Sequence, residues 1–154
     1  MRKLLLTTVV FGVVVAAGAR PARADFGLGL FLGEPTGIDL KVGLNHRSAL
    51  DIVLGFDTLR EGRGGYGHLT YLVTPVVAQG NAVSVPLRIG IGAAVFGNRN
   101  DIDVAVRAPF EVGLLLRRTP LEFYGEIALA LVFIDPANDI VLDVQGGLGF
   151  RVYF

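Results

Sequence analysis

The residues that could do chemistry in this chain are few, and most stand alone. His46 and Ser48 form the one close base and nucleophile pair. Embedded lipid hydrolysis would need a third, orienting partner, and the pair falls in a turn where both side chains would simply be solvated. Glu122 and Glu126 have the types for two-carboxylate hydrolysis, but beside buried arginines they are expected to neutralise charge instead. His68 has no second histidine near it, so a metal site there is not expected. Asp101 with Asp103, and Asp135 with Asn138 and Asp139, offer oxygens that could hold a divalent ion at a rim, although Asp and Asn are also ordinary turn residues. The sequence has no cysteine, which removes a thiol nucleophile, a Cys-based zinc site and a disulfide scaffold together. Its glycines alternate with apolar residues and no helix follows them, so none forms a phosphate loop. The expectation is a protein without catalytic residues, metal or cofactor.

A different chemistry lies in the spacing of the charges. Asp39, Lys41, Asp51, Arg88, Arg107, Glu111, Glu122, Glu126, Asp143 and Arg151 each occupy a position whose neighbours on either side are apolar or small. Period-two alternation places them on one face of successive β-strands. Because the signs are mixed, they can compensate one another away from bulk water. A lumen charge network is the reading.

The elements that must carry them follow in order. Phe26, Leu28, Leu30 and Leu32 alternate with glycine and Phe31, then Glu34-Pro35-Thr36-Gly37 turns the chain, with Gly37 available for positive φ. Ile38 to Leu44 returns, and Asn45-His46-Arg47 turns again. A third strand holds Leu50, Ile52, Leu54 and Phe56 on one face, and a polar loop, Thr58 to Gly65, follows. The fourth spans Tyr66 to Val73, and Thr74 to Ser84 is read as a long connection. Strand five runs from Leu87 to Phe96 and strand six from Val104 to Leu114, with Pro109 marking a bulge or local irregularity. Strand seven follows the turn Arg117-Arg118-Thr119-Pro120, and the eighth ends at Phe154. An even number of strands puts both ends on one side.

Which face meets water decides the class. A solvated sheet face is rich in Lys, Glu, Thr and Ser, yet beyond residue 24 the chain has one lysine, Lys41, and two serines, Ser48 and Ser84. The face opposite the apolar one is built from Gly and Ala with scattered charges, which suits a crowded interior. The apolar face carries no charge in any assigned strand, as hydrocarbon demands. Phe26, Tyr71, Phe123 and Phe154 are placed towards one rim, with Phe56 and Phe133 towards the other, as a partial aromatic girdle. The fold class expected is all-β: an eight-stranded antiparallel up-and-down transmembrane β-barrel with a side-chain-filled lumen.

The start of the chain reads separately. Arg2 and Lys3, an apolar run from Leu4 to about Gly18, and Ala22-Arg23-Ala24 are the three parts of a secretory signal peptide. Residues 1–24 are expected to be cleaved, leaving 25–154 as one barrel domain. Mean hydropathy is +0.57, yet no later run approaches the roughly 20 apolar residues of a spanning helix. Formal net charge is zero, so nucleic acid is not an expected partner.

The pattern Gly149-x-x-Val152-x-Phe154 resembles the terminal signal by which bacterial outer-membrane barrels are recognised for assembly. The whole of 25–154 resembles the small eight-stranded outer-membrane barrels of the OmpA/OmpX type. Its opening, Gly-Leu-Gly-Leu-Phe-Leu-Gly-Glu-Pro-Thr-Gly over residues 27–37, together with Tyr153-Phe154, looks like a family of uncharacterised bacterial outer-membrane barrel proteins. The resemblance implies location in the outer membrane, with its lipids, the barrel-assembly machinery and a ligand of the outer loops as partners. The function expected is structural or surface-interacting. A narrow pore, a barrel-embedded lipid-modifying enzyme and a soluble periplasmic lipid-binding barrel are the rival readings.

Overall fold

A computed structural model describes residues 26–56, 64–97, 102–134 and 139–154. The described residues contain eight strands: β1 (Phe26–Glu34), β2 (Thr36–Asn45), β3 (Ser48–Phe56), β4 (Gly65–Gln79), β5 (Val83–Gly97), β6 (Ile102–Leu116), β7 (Leu121–Ile134) and β8 (Asp139–Tyr153). Each pairs antiparallel with the next, and β8 pairs with β1 to close a barrel. Closure removes both sheet edges, so the backbone polar groups of the ladders are satisfied within the sheet. Residues 1–24, expected from the sequence to be a signal peptide, lie outside the described residues, as do Asp57, Asp101, Asp135 and Asn138.

Alternation decides what goes inside. Leu28, Leu30, Ile38, Leu54, Ile89, Ile91, Phe110, Ile127, Leu129 and Leu148 are all exposed on the outer face, Leu148 by 70 %. Between the rims no Asp, Glu, Lys or Arg of the described strands points outward; Glu34, at the end of β1, is the exception in register. The charged residues alternate with these apolar ones, and Asp39, Asp51, Arg107, Glu111, Glu122 and Arg151 are buried to within 1 % of completely. This polarity inverts the usual one of apolar core and polar surface.

Two local features differ from the sequence reading, and a third narrows it. The long connection over Thr74 to Ser84 is instead strand: β4 continues to Gln79, leaving only residues 80–82 between it and β5. Thr74 and Pro75 open the stretch read as a connection, but the β4–β5 register shifts between Val73 and Val76, and that bulge absorbs the proline, which has no N–H for the ladder. The Thr74 N–H donates to the Arg47 carbonyl at 2.7 Å. Pro109 makes no bulge, but it does mark a local irregularity, a gap in the ladder. The β5–β6 pairing passes from Ile89↔Phe110 to Gly92↔Arg107, and from Leu87↔Val112 to Ser84↔Leu115, without change of register. The two gaps lie opposite Pro109 and at Pro86, where a donor is missing. In the first hairpin the glycine with positive φ is Gly33 (φ 156°), not Gly37. Thr36 Oγ1 there donates to the Gly33 carbonyl at 3.0 Å.

Candidate functional site

The barrel interior is the candidate site, and β8 supplies its centre. Arg151 is fully buried. Its Nε donates to Asp39 Oδ2 at 2.5 Å and its Nη2 to Asp51 Oδ1 at 2.7 Å. The same Nη2 lies 2.9 Å from Glu111 Oε2, and Nη1 lies 3.7 Å from Glu122 Oε2. The guanidinium plane sits 3.6 Å from the centroid of the Tyr124 ring, so one flat cation meets carboxylates at its edges and an aromatic at its face. Phe31 stacks on the far partner of that sandwich, with ring centroids 5.9 Å apart. The Tyr124 hydroxyl donates to Asp39 Oδ2.

Towards the end where β1 begins, Arg88 bridges two carboxylates. Its Nη1 contacts Glu111 Oε1 and lies 2.7 Å from Glu122 Oε1. Lys41 Nζ approaches Glu111 Oε1 at 3.3 Å, and the Tyr153 hydroxyl donates to Glu122 Oε2. Gly113 makes room here, because a Cβ at that position would meet Glu122 Oε1, with Arg88 Nη1 and Pro86 Cγ each 3.0 Å away.

In the other direction Arg107 Nη2 pairs with Glu126 Oε1 at 2.5 Å. Its Nη1 lies 2.7 Å from Nδ1 and 2.8 Å from Nε2 of His68. Nε2 also lies 3.5 Å from Asp51 Oδ2. A neutral ring protonated at Nε2 accepts from Arg107 at Nδ1 and donates to Asp51 from Nε2, and the approach of Arg107 Nη1 to Nε2 is then not a hydrogen bond. Beyond it the Tyr66 hydroxyl donates to Gln145 Oε1 at 3.0 Å, and Tyr66, Ala94, Phe96, Ala105, Ala130 and Val132 fill the cross-section as an apolar plug.

Nine of the ten charges expected in the interior therefore come together: Lys41, Arg88, Arg107 and Arg151 with Asp39, Asp51, Glu111, Glu122 and Glu126. Asp143 is placed differently. It shares the inward register but is only half-buried, and its Oδ2 accepts from the Gln145 amide at 3.4 Å. Tyr124, Tyr153, Tyr66, Thr70 and Gln145 join the network although their types drew no attention in the sequence. Their signal was available, since all five share the parity of the charges.

The remaining candidates separate. Ser48 Oγ is buried without a hydrogen-bond partner among the described residues, so it makes no hydrogen bond to His46, whose side chain is exposed. Glu122 and Glu126 are held by different arginines. Among the described residues no group of three His, Cys, Asp or Glu side chains is arranged to hold a metal ion. Gly149, Val152 and Phe154 lie along the β8 end that meets β1, and the Phe154 N–H donates to the Phe26 carbonyl at 2.9 Å.

What this arrangement can do chemically is hold a closed sheet around a rigid, self-compensated polar centre. Comparison with protein-family models, with curated proteins and with solved structures finds no match to the chain.

Proposed function

We propose that the chain is an integral outer-membrane protein: an up-and-down transmembrane barrel, exported through a cleaved leader, serving envelope structure or a surface interaction without catalysis. One observation carries this reading. The closed sheet turns a continuous apolar face outward, with Ile91 63 % and Ile127 61 % exposed, while its ion pairs are sealed inside. In water such a surface would aggregate, far exceeding the few hundred Å² of contiguous apolar patch that soluble monomers tolerate. In a bilayer it is the required surface. The leader-like start and the β8 pattern Gly149-x-x-Val152-x-Phe154 support the same location, the latter as a docking signal for assembly machinery.

Membrane fractionation with a gel comparing boiled and unboiled protein tests it. Extraction that requires detergent, with a mobility shift on boiling that Phe154→Ala weakens, is expected. Protein released without detergent and showing no shift would instead mean that the apolar face is covered by a carried lipid.

A further inference from the structure

The two ends of the barrel differ in charge. At the end where β1 begins, the described turns between β2 and β3, β4 and β5, and β6 and β7 carry His46, Arg47, Arg117 and Arg118 and no acidic residue. At the other end the described strand termini carry Glu34, Asp103 and Asp139. The basic end also holds a cavity of about 730 Å³. Lys41 and Arg88 form its floor, Arg47, Arg117 and Arg118 stand at its mouth, and neither Asp nor Glu lines it.

Two details make this more than a basic surface. Lys41 and Arg88 are more than nine-tenths buried, and although Glu111 and Glu122 hold them from behind, neither carboxylate lines the cavity. Ser48 lines it as well, 7 % exposed, with an Oγ that has no hydrogen-bond partner among the described residues. A buried hydroxyl without a partner is costly, so its position beside fixed cations calls for an acceptor. Arg117 is oriented over the mouth by Gln79 Oε1 at 2.8 Å and Ser84 Oγ at 3.3 Å.

We propose that this mouth is an anion-binding vestibule that takes a phosphate-bearing ligand, with arginines capturing it at the rim and Lys41, Arg88 and Ser48 meeting its oxygens at the floor. Phosphate fits because several oxygens can accept charge-assisted hydrogen bonds from separate directions at once. The excess of cations among the described residues of this end attracts an anion to it. The volume admits a small phosphorylated solute or the headgroup of a lipid. The site needs a folded barrel but not the outer-membrane location, so it can fail while that location stands, and the reverse.

Residues 25–154, folded in uncharged maltoside micelles, are titrated calorimetrically with inorganic pyrophosphate. In parallel, melting is compared in vesicles of phosphatidylglycerol and of phosphatidylcholine. Saturable uptake of one pyrophosphate per barrel, weakened about tenfold or more by R117Q/R118Q and unchanged by Asp139→Asn at the far end, supports a soluble phosphate ligand. Absence of pyrophosphate uptake, but a melting temperature raised in phosphatidylglycerol only while Arg117 and Arg118 are present, assigns the site to a lipid headgroup. Neither effect, or an equal effect in the double variant, overturns the proposal. Should R117Q/R118Q lose the folded band, Arg47→Gln with Arg118→Gln replaces it in the same comparison.

Discussion

At the scale of single residues, Arg151 is the side chain on which the interior depends most. Its guanidinium touches two aspartates within hydrogen-bond distance and lies within ion-pair range of two glutamates. Arg151→Gln would leave buried carboxylates without their cation, for which about 3–5 kcal/mol is the usual loss. Lys41→Met should cost clearly less, because Glu111 keeps Arg88 and Arg151. Urea titration followed by gel mobility ranks the two, and a Lys41 effect equal to that of Arg151 would sink this ordering. Gly149 offers a second test. A Cβ there would fall on the Tyr124 ring, whose position is held by stacking on Phe31, by the Arg151 guanidinium and by its hydroxyl bond to Asp39. Gly149→Ala should therefore destabilise by roughly 1–3 kcal/mol through overpacking. Gly125→Ala, whose Cβ meets only the tip of Leu148 at 3.3 Å, should be tolerated. How the charges pair was not legible in the sequence. Lys41 faces Asp51 across the β2–β3 ladder, yet its Nζ reaches Glu111, seventy positions away. That choice depends on the stagger of all eight strands around the ring, and no local pattern encodes it.

At the scale of the strand, the division into outer and inner faces was legible almost throughout, because a period of two survives any error in where a strand ends. The ends were less so. In β4 the proline at position 75 is a residue that normally ends a ladder, and only the bulge, which depends on the partner strand, lets the pairing continue to Gln79. Outer-face substitutions should report depth. Leu129→Arg, in the middle of β7, is expected to cost about 2–4 kcal/mol in a bilayer, and Ile102→Arg, at the end of β6, about 0–1 kcal/mol. Unfolding titrations in lipid vesicles measure both. If the barrel instead stands in water, both changes should lie within about 0.5 kcal/mol of zero.

At the scale of the molecule, buried side chains succeed one another along the interior, from the Lys41–Arg88 layer through Arg151 to the cluster around Tyr66 and Phe96. Planar bilayers containing the folded protein should stay electrically silent. Discrete openings in the wild type would show that the packed cross-section gives way, and Arg107 or Arg88 substitutions should then alter them. The position of Arg151 on β8 also bears on the order of events in folding. Its four acidic neighbours sit on β2, β3, β6 and β7, so seven strands can assemble and still enclose more negative than positive charge. Until β8 arrives, the half-made sheet must stay open and hydrated. Insertion of the last strand then both closes the hydrogen-bond ring and brings in the cation that four buried carboxylates face, so the guanidinium works as a latch that favours the complete ring over every shorter one.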